Sequence, residues 1–501
     1  SLRRQRQMCI RDRYNLLKQM NASSHNKSPE SLFILMHGLL GSHKHMHAVR
    51  DLILSRDESN SLVLIPCKNG FFKTFDGIEI VGDRVIKEIK IFLKTRSESE
   101  IKSLKWISFI SYSMGGLISR YVIGEILPYL EKRYPNIKLN TFMTFATPHL
   151  GVNFFKDGKF PYNVLTTLGS NLLGRSGRQL FLEDKDEKNS EKLMLKISKG
   201  KYLDALKKFK YRISLANAHN DRTVAYYTAF ITDSGYTCDL NTFEEDSILC
   251  DWSKFPKESI LNVTKDPSTC KNEMQSNKEK KLKIRIFHGL KFMGKVFAII
   301  LFVFCIFPFV LVINTVGTTI SYINVWFYKN KMTLLSKFSF LNKNWLSKKL
   351  DIDLDEEFDD DEMEQLIEVL SRDDTEDDSI KDDMEDLLSA DWELKKNKYI
   401  DTIESVPTDK RDSLCFKYFI EKYTKNNIKH CFEDPNKKLP FDAVRREMYE
   451  NLNKLKWIRV PYKLTGANTH RAIVARSGIE STSFVLSLIH ISEPTRHAQI
   501  S

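Results

Sequence analysis

Ser113 stands at the centre of Ser111-Tyr112-Ser113-Met114-Gly115-Gly116. An apolar run, 106–110, precedes this turn, and apolar residues at 117, 118, 121, 122 and 126 follow it at the spacing of one helix face. Strand, tight turn and helix is the setting that holds a serine in strained backbone geometry with its hydroxyl presented to a carbonyl. Such a turn admits only small residues two places before and after the serine, here Ser111 and Gly115, and Gly116 lets the helix approach the sheet. The usual pattern has glycine on both sides, so Ser111 is a departure. The plainer reading of the stretch is a Ser/Gly turn between buried elements. A second apolar run, 31–36, leads directly into His37-Gly38-Leu39-Leu40-Gly41. The glycines let the backbone aim an amide, Leu39 N–H, at the oxygen of a reacting carbonyl, with Met114 N–H as the second donor, each worth about 3 kcal/mol. His37 reads there as a scaffold residue.

A serine hydroxyl is a poor nucleophile near neutral pH and needs a base, which an acid must orient. Asp221 lies in the loop after the run 211–216, and His470 lies in the loop 465–471. The plainer role for Asp221 is a turn or helix cap. His45 and His430 are alternatives to His470 without a comparable setting. Serine, acid, histidine is the chain order of one triad architecture and differs from the orders in other triad folds. His149, in Ala146-Thr147-Pro148-His149-Leu150-Gly151, sits where a loop would shape the pocket wall. The eight cysteines show no CxxC pair or zinc spacing, which fits free thiols in a reducing compartment. The chemistry requires no metal and no organic cofactor.

These residues must be carried by strands of a buried sheet. Runs 31–36, 61–66, 106–110, 139–145 and 211–216 have strand length and little polarity, as in a parallel sheet covered on both faces. Thr74-Phe75-Asp76-Gly77 opens a helix through Val85, Ile89 and Phe92, with Asp76 expected as its N-cap. Residues 152–208 are expected to form a helical cap over the site, and 452–460 a further strand. The class is α/β, a mostly parallel sheet flanked by helices.

The chain has 501 residues and a net charge of +12, with 42% hydrophobic and 28% charged residues, enough to bury a sizeable core. No nucleic-acid motif accompanies the positive charge. Lysines at 291, 295, 329 and 331 instead flank Val296–Phe327, which carries no charged residue, and membrane-surface binding explains them better. An acidic stretch, 351–391, follows and reads as solvated. Ser113 and Asp221 precede the apolar segment and His470 follows it, so a single crossing would separate base from nucleophile. Two crossings need roughly 20 residues each. The expectation is therefore a monotopic hairpin over 296–327, bent near Pro308 to Asn314, with both flanks on the cytosolic side. Residues 1–13 and 487–501 resemble translated adapter read-through and are set aside. The division is then 14–235 for the first part of the core with its cap, 236–395 for the insertion, and 396–486 for the rest of the core. The sequons at Asn21 and Asn262 are read as incidental.

HGLLGS, TFDGIEIVGDR, ISYSMGGLISRYVIGE, FATPHLGV, ANAHNDRTVAYYT, LNKLKWIRV and ANTHRAIVARSG together resemble the serine esterases of fungi that include lipid-droplet phospholipases and monoacylglycerol lipases. The resemblance is strong over 31–232 and weaker over 445–480. It implies an α/β-hydrolase fold with Ser113 as nucleophile, Asp221 as acid and His470 as base. It implies lipid esters as substrates, a membrane or droplet monolayer as partner, and a lipid droplet or the cytosolic face of the endoplasmic reticulum as the location. Oligomeric state is not read from the sequence. A catalytically inactive membrane tether and a thioesterase acting on acylated proteins are the competing classes; only Ser111 favours the tether.

Overall fold

A computed structural model describes residues 29–57, 60–153, 166, 169–184, 191–218, 221, 223–236, 258–260, 307–335, 433–464, 470 and 473–474. The adapter-like ends, the acidic stretch 351–391 and residues 296–306 of the apolar segment lie outside them.

In chain order the elements are β1 (Ser31–Met36), α1 (His47–Asp57), β2 (Ser61–Leu64), α2 (Ile78–Lys94), α3 (Glu98–Ser103), β3 (Trp106–Tyr112), α4 (Gly115–Arg133) and β4 (Lys138–Phe145). There follow α5 (Gly174–Leu180), α6 (Leu193–Lys196), α7 (Gly200–Lys207), β5 (Tyr211–Asn217), α8 (Tyr226–Phe230), β6 (Ser234–Tyr236) and β7 (Glu258–Ile260). The last are α9 (Phe307–Leu335), β8 (Glu433–Lys438), α10 (Ala443–Asn453) and β9 (Ile458–Leu464). Seven strands form one sheet in the order β2-β1-β3-β4-β5-β9-β7. Every pairing is parallel except β7 with β9, and β6 with β8 form a separate antiparallel pair.

All six residues of β1 are buried, which is why its sequence is continuously apolar rather than alternating. The period of two still divides them: Phe33 and Leu35 join Ile110, Tyr112, Met143 and Leu215 on one face. Leu32, Ile34 and Met36 join Ile107, Phe109 and Phe142 on the other, beneath α2 and α4. In α2, Ile78, Val81, Val85 and Ile89 recur at three- and four-residue steps and are buried, so this helix is amphipathic and lies on the sheet.

Several expectations need correction. Asp76 does not cap α2. The N-cap is Gly77 at φ 107, a value suited to glycine, and the first amides donate across the fold, Gly77 N–H to Ser176 Oγ (3.1 Å) and Ile78 N–H to Gln179 Oε1 (2.7 Å). Asp76 is buried and paired with Arg84 (2.6 Å); burial pushes its carboxyl upward and Arg84 draws it back. Residues 452–460 are not one strand: 452 and 453 end α10, and β9 begins at 458. Strand 61–66 stops at 64, whereas 106–110 continues to Tyr112 and meets the serine turn directly. Within 152–208, α7 is not cap. It packs on α4 in the layer beside the sheet, with Tyr202 stacked on Tyr121 at 5.9 Å.

The described residues do not support the hairpin. Residues 308–314, where the bend was expected, are the first turns of α9, which runs unbroken to Leu335. No helix among the described residues is long and apolar enough to cross a membrane. α9 lies against α5 and the 3-10 turn Phe71–Phe75.

Candidate active site

β3 delivers Ser113 at the carboxyl edge of the sheet, in the left-handed region at φ 53, where few non-glycine residues sit. The turn is pinned by its surroundings: Ser113 N–H donates to Phe145 O (2.9 Å) and Thr147 Oγ1 donates to Ser113 O (2.8 Å). Space dictates the glycines. A Cβ on Gly115 would stand 2.5 Å from Met36 O, one on Gly116 2.3 Å from Thr147 Oγ1, and one on Gly38 2.7 Å from Ser113 Cβ. Ser111 is accommodated rather than strained. Its hydroxyl meets that of Ser119, about one turn into α4, at 2.8 Å, and both residues are fully buried.

Asp221 and His470 come to Ser113 from opposite ends of the insertion. With the imidazole proton on Nδ1, that N–H donates to Asp221 Oδ2 (2.9 Å), and Nε2 accepts from Ser113 Oγ (3.0 Å). The other carboxylate oxygen, Oδ1, accepts from Thr223 N–H and Val224 N–H, each at 2.9 Å. The Asp221 side chain is 2% exposed and that of His470 12%, so both are largely shielded from water. Tyr112 lies against the imidazole, ring centres 5.0 Å apart.

The loop after β1 is held open by specific bonds. Gly41 N–H donates to Gly38 O (3.1 Å), Leu40 N–H at φ 52 donates to Thr74 Oγ1 (2.9 Å), and Phe71 N–H donates to Gly41 O (2.9 Å). Among the described residues no hydrogen bond engages Leu39 N–H or Met114 N–H, which leaves both amides available to a ligand oxygen. The His37 ring is buried, with Nδ1 3.0 Å from Gly38 O, as a scaffold residue would be. His45 Nδ1 accepts from Ser42 N–H (3.1 Å) and serves its own turn.

His149 is fully buried, with Nε2 3.1 Å from Thr144 Oγ1 and its ring edge-on to Trp457 at 5.3 Å. Burial, then the Arg120 and Arg459 guanidiniums, hold its pKa well below the ordinary histidine value. Arg120, also fully buried, donates to His149 O (3.1 Å) and Ile197 O (2.9 Å), tying this loop to the elbow helix. Sequence reasoning missed Thr74, Ser119, Arg120 and Thr147. Only Thr147 carried a signal, its place in the 146–151 loop. Among the described residues no cluster of His, Cys, Asp and Glu could hold a metal.

A mostly parallel sheet with a serine on the turn after β3, an acid after β5 and a histidine after β9 is the α/β-hydrolase fold. Residues 26–239 match the model of the family described as putative serine esterase (DUF676). The chain is 28% identical over 230 residues to the putative lipase ROG1 of Saccharomyces cerevisiae, covering 44% of this chain and 30% of that one. It is 25% identical over 225 residues to the putative lipase C4A8.10 of Schizosaccharomyces pombe, covering 43% of this chain and 28% of that one. The chain therefore spans less than a third of the length of these curated relatives. Among solved structures, phospholipase PlaB of Legionella pneumophila is similar at 18% identity and a TM-score of 0.25, over 41% of this chain and 42% of that one. At that score the likeness adds nothing to what the sheet itself displays.

Proposed function

We propose that this chain is a serine hydrolase that cleaves carboxylic esters of lipids through an acyl-enzyme. The hydrogen-bonded run from Asp221 through His470 to Ser113, at 2.9 and 3.0 Å, carries the reading. His470 Nε2 takes the proton of Ser113 Oγ as the oxygen attacks the ester carbonyl carbon. The carbonyl oxygen becomes an oxyanion held by Leu39 N–H and Met114 N–H. Collapse of this intermediate breaks the ester C–O bond, and the departing alcohol receives the proton from His470. A water molecule, deprotonated by His470, then attacks the acyl-serine and releases a fatty acid. Asp221 stays ionised, fixes the imidazole tautomer and stabilises the imidazolium.

Lipid esters are favoured by the family match and by relatives named as lipases. A membrane or lipid-droplet surface, with the active site on the cytosolic side, is the location this reading entails. The 2.8 Å contact between the Ser111 and Ser119 hydroxyls weighs against the tether, because it gives Ser111 a place in the turn. Labelling with a fluorophosphonate probe tests the reading. The natural chain should label, and Ser113→Ala and His470→Ala should not; labelling that survives in Ser113→Ala sinks the assigned nucleophile. A panel of phospholipid, monoacylglycerol and acyl-thioester substrates then separates lipid from protein targets.

A further inference from the structure

Among the described residues, the large hydrophobic side chains that stand exposed are all on α9. Val312, Val316, Ile320, Ile323 and Trp326 recur at three- and four-residue steps, so they share one side, and each is between 42% and 59% exposed. The opposite side is small or hydroxylated. Gly317, Ser321 and Val325 are buried, and a Cβ on Gly317 would stand 2.1 Å from the Phe72 ring. Thr318 Oγ1 donates to Leu172 O at 2.9 Å. A helix on a water-facing surface does the reverse, turning apolar residues inward and polar ones outward. Close approach through small residues with large apolar groups facing out is how helices pack in lipid.

Two further observations favour lipid over a protein partner. The hydroxyls on the exposed side are satisfied within the helix, Thr315 Oγ1 by Leu311 O (2.8 Å) and Thr319 Oγ1 by Thr315 O (2.9 Å). A protein interface would call for about one hydrogen bond per 100–200 Å², whereas hydrocarbon calls for none. The exposed Arg178 lies beside the stripe, 5.9 Å from the Tyr322 ring centre. No acid occurs between Val296 and Tyr328. Anionic headgroups complement such a margin.

We propose that α9 is a docking helix that lies in the plane of a phospholipid bilayer surface, with its Val312–Trp326 stripe immersed at the headgroup boundary. Among the described residues no helix is long and apolar enough to cross a membrane. α9 leans on the 71–75 turn, which is bonded to the loop that presents Leu39, so docking brings the oxyanion side of the site to the lipid. The docking rests on the lipid-ester reading for its purpose, while its geometry stands apart from that reading.

The test is flotation of the full chain with vesicles of phosphatidylcholine and phosphatidylserine, compared with the triple variant Val316→Asp, Ile320→Asp, Ile323→Asp. The natural chain should float, and the variant should lose about tenfold in partitioning for each substitution. A thermal melt checks that the variant folds. Should it melt early, Trp326→Ser alone should cost about tenfold. A natural chain that stays in the bottom fraction overturns the proposal. So does a folded variant that floats as well as the natural chain, or one whose only change is from dimer to monomer in sedimentation. Turnover of a soluble short-chain ester by the natural chain is scored separately. A chain that floats without turnover keeps the docking and loses the esterase, and the converse result does the opposite.

Discussion

The carboxylate of Asp221 is used on both oxygens, by two amides and by His470. Replacing it with Asn keeps the shape but lets the amide favour the wrong imidazole tautomer. Asp221→Asn should lower kcat by about 10⁴-fold with little change in KM; steady-state kinetics showing less than a tenfold loss would remove Asp221 from the triad. The buried hydroxyl pair under the elbow makes a second prediction. Ser119→Ala leaves the Ser111 hydroxyl without its partner in a dry site, at a cost of about 1–2 kcal/mol. Adding Ser111→Gly removes the orphaned group and should restore most of that stability. Urea denaturation of the three proteins decides it, and a Ser119→Ala variant as stable as the natural chain would refute it. Ser113, Asp221 and His470 are legible in the sequence because each sits in a recognisable local setting. The Ser111–Ser119 bond is not, because it depends on how α4 is rotated above β3.

At the scale of elements, strands buried on both faces are easily read, since burial removes polar residues from them. Boundaries set by distant partners are not. Asp76 has the residue type and position of a cap, yet Ser176 and Gln179 from α5 reach the first amides of α2, and Asp76 goes to Arg84. In 452–460 the end of a helix and the start of a strand lie five residues apart and together read as one strand-like stretch. The contact of α2 with α4 carries a pH dependence. Burial pushes the Asp83 carboxyl from about 3.8 up to about 6, opposed by the hydrogen bond from Tyr121 (2.9 Å). The folded state therefore binds a proton more tightly than the unfolded one. The resulting stability is fully present below about pH 4 and is lost as pH rises through about 6, by up to about 3 kcal/mol. Asp83→Asn should flatten this part of a denaturation profile measured from pH 4 to 7; an unchanged slope would show that Asp83 does not cause it.

At the scale of the molecule, the meeting of Ser113 and His470 constrains topology. The uncharged segment 296–328 lies between them in the chain, yet their side chains are 3.0 Å apart. Protease-cleavable tags placed at 134–137 and at 439–442 should therefore share one fate in sealed microsomes, both cut or both protected. One cut and one protected would contradict the assembled site.

The same separation matters in time. In the proposed mechanism the nucleophile, both oxyanion amides and the acid are translated first, and the base follows Asp221 by 249 residues. β9, which carries the chain toward that base and is the last strand among the described residues, must still slot in beside β5. At ordinary rates of synthesis the growing chain spends roughly twenty to seventy seconds between making the serine, 357 residues before His470, and making the base that would activate it. A site wired in this order stays disarmed until synthesis has carried the chain past residue 470.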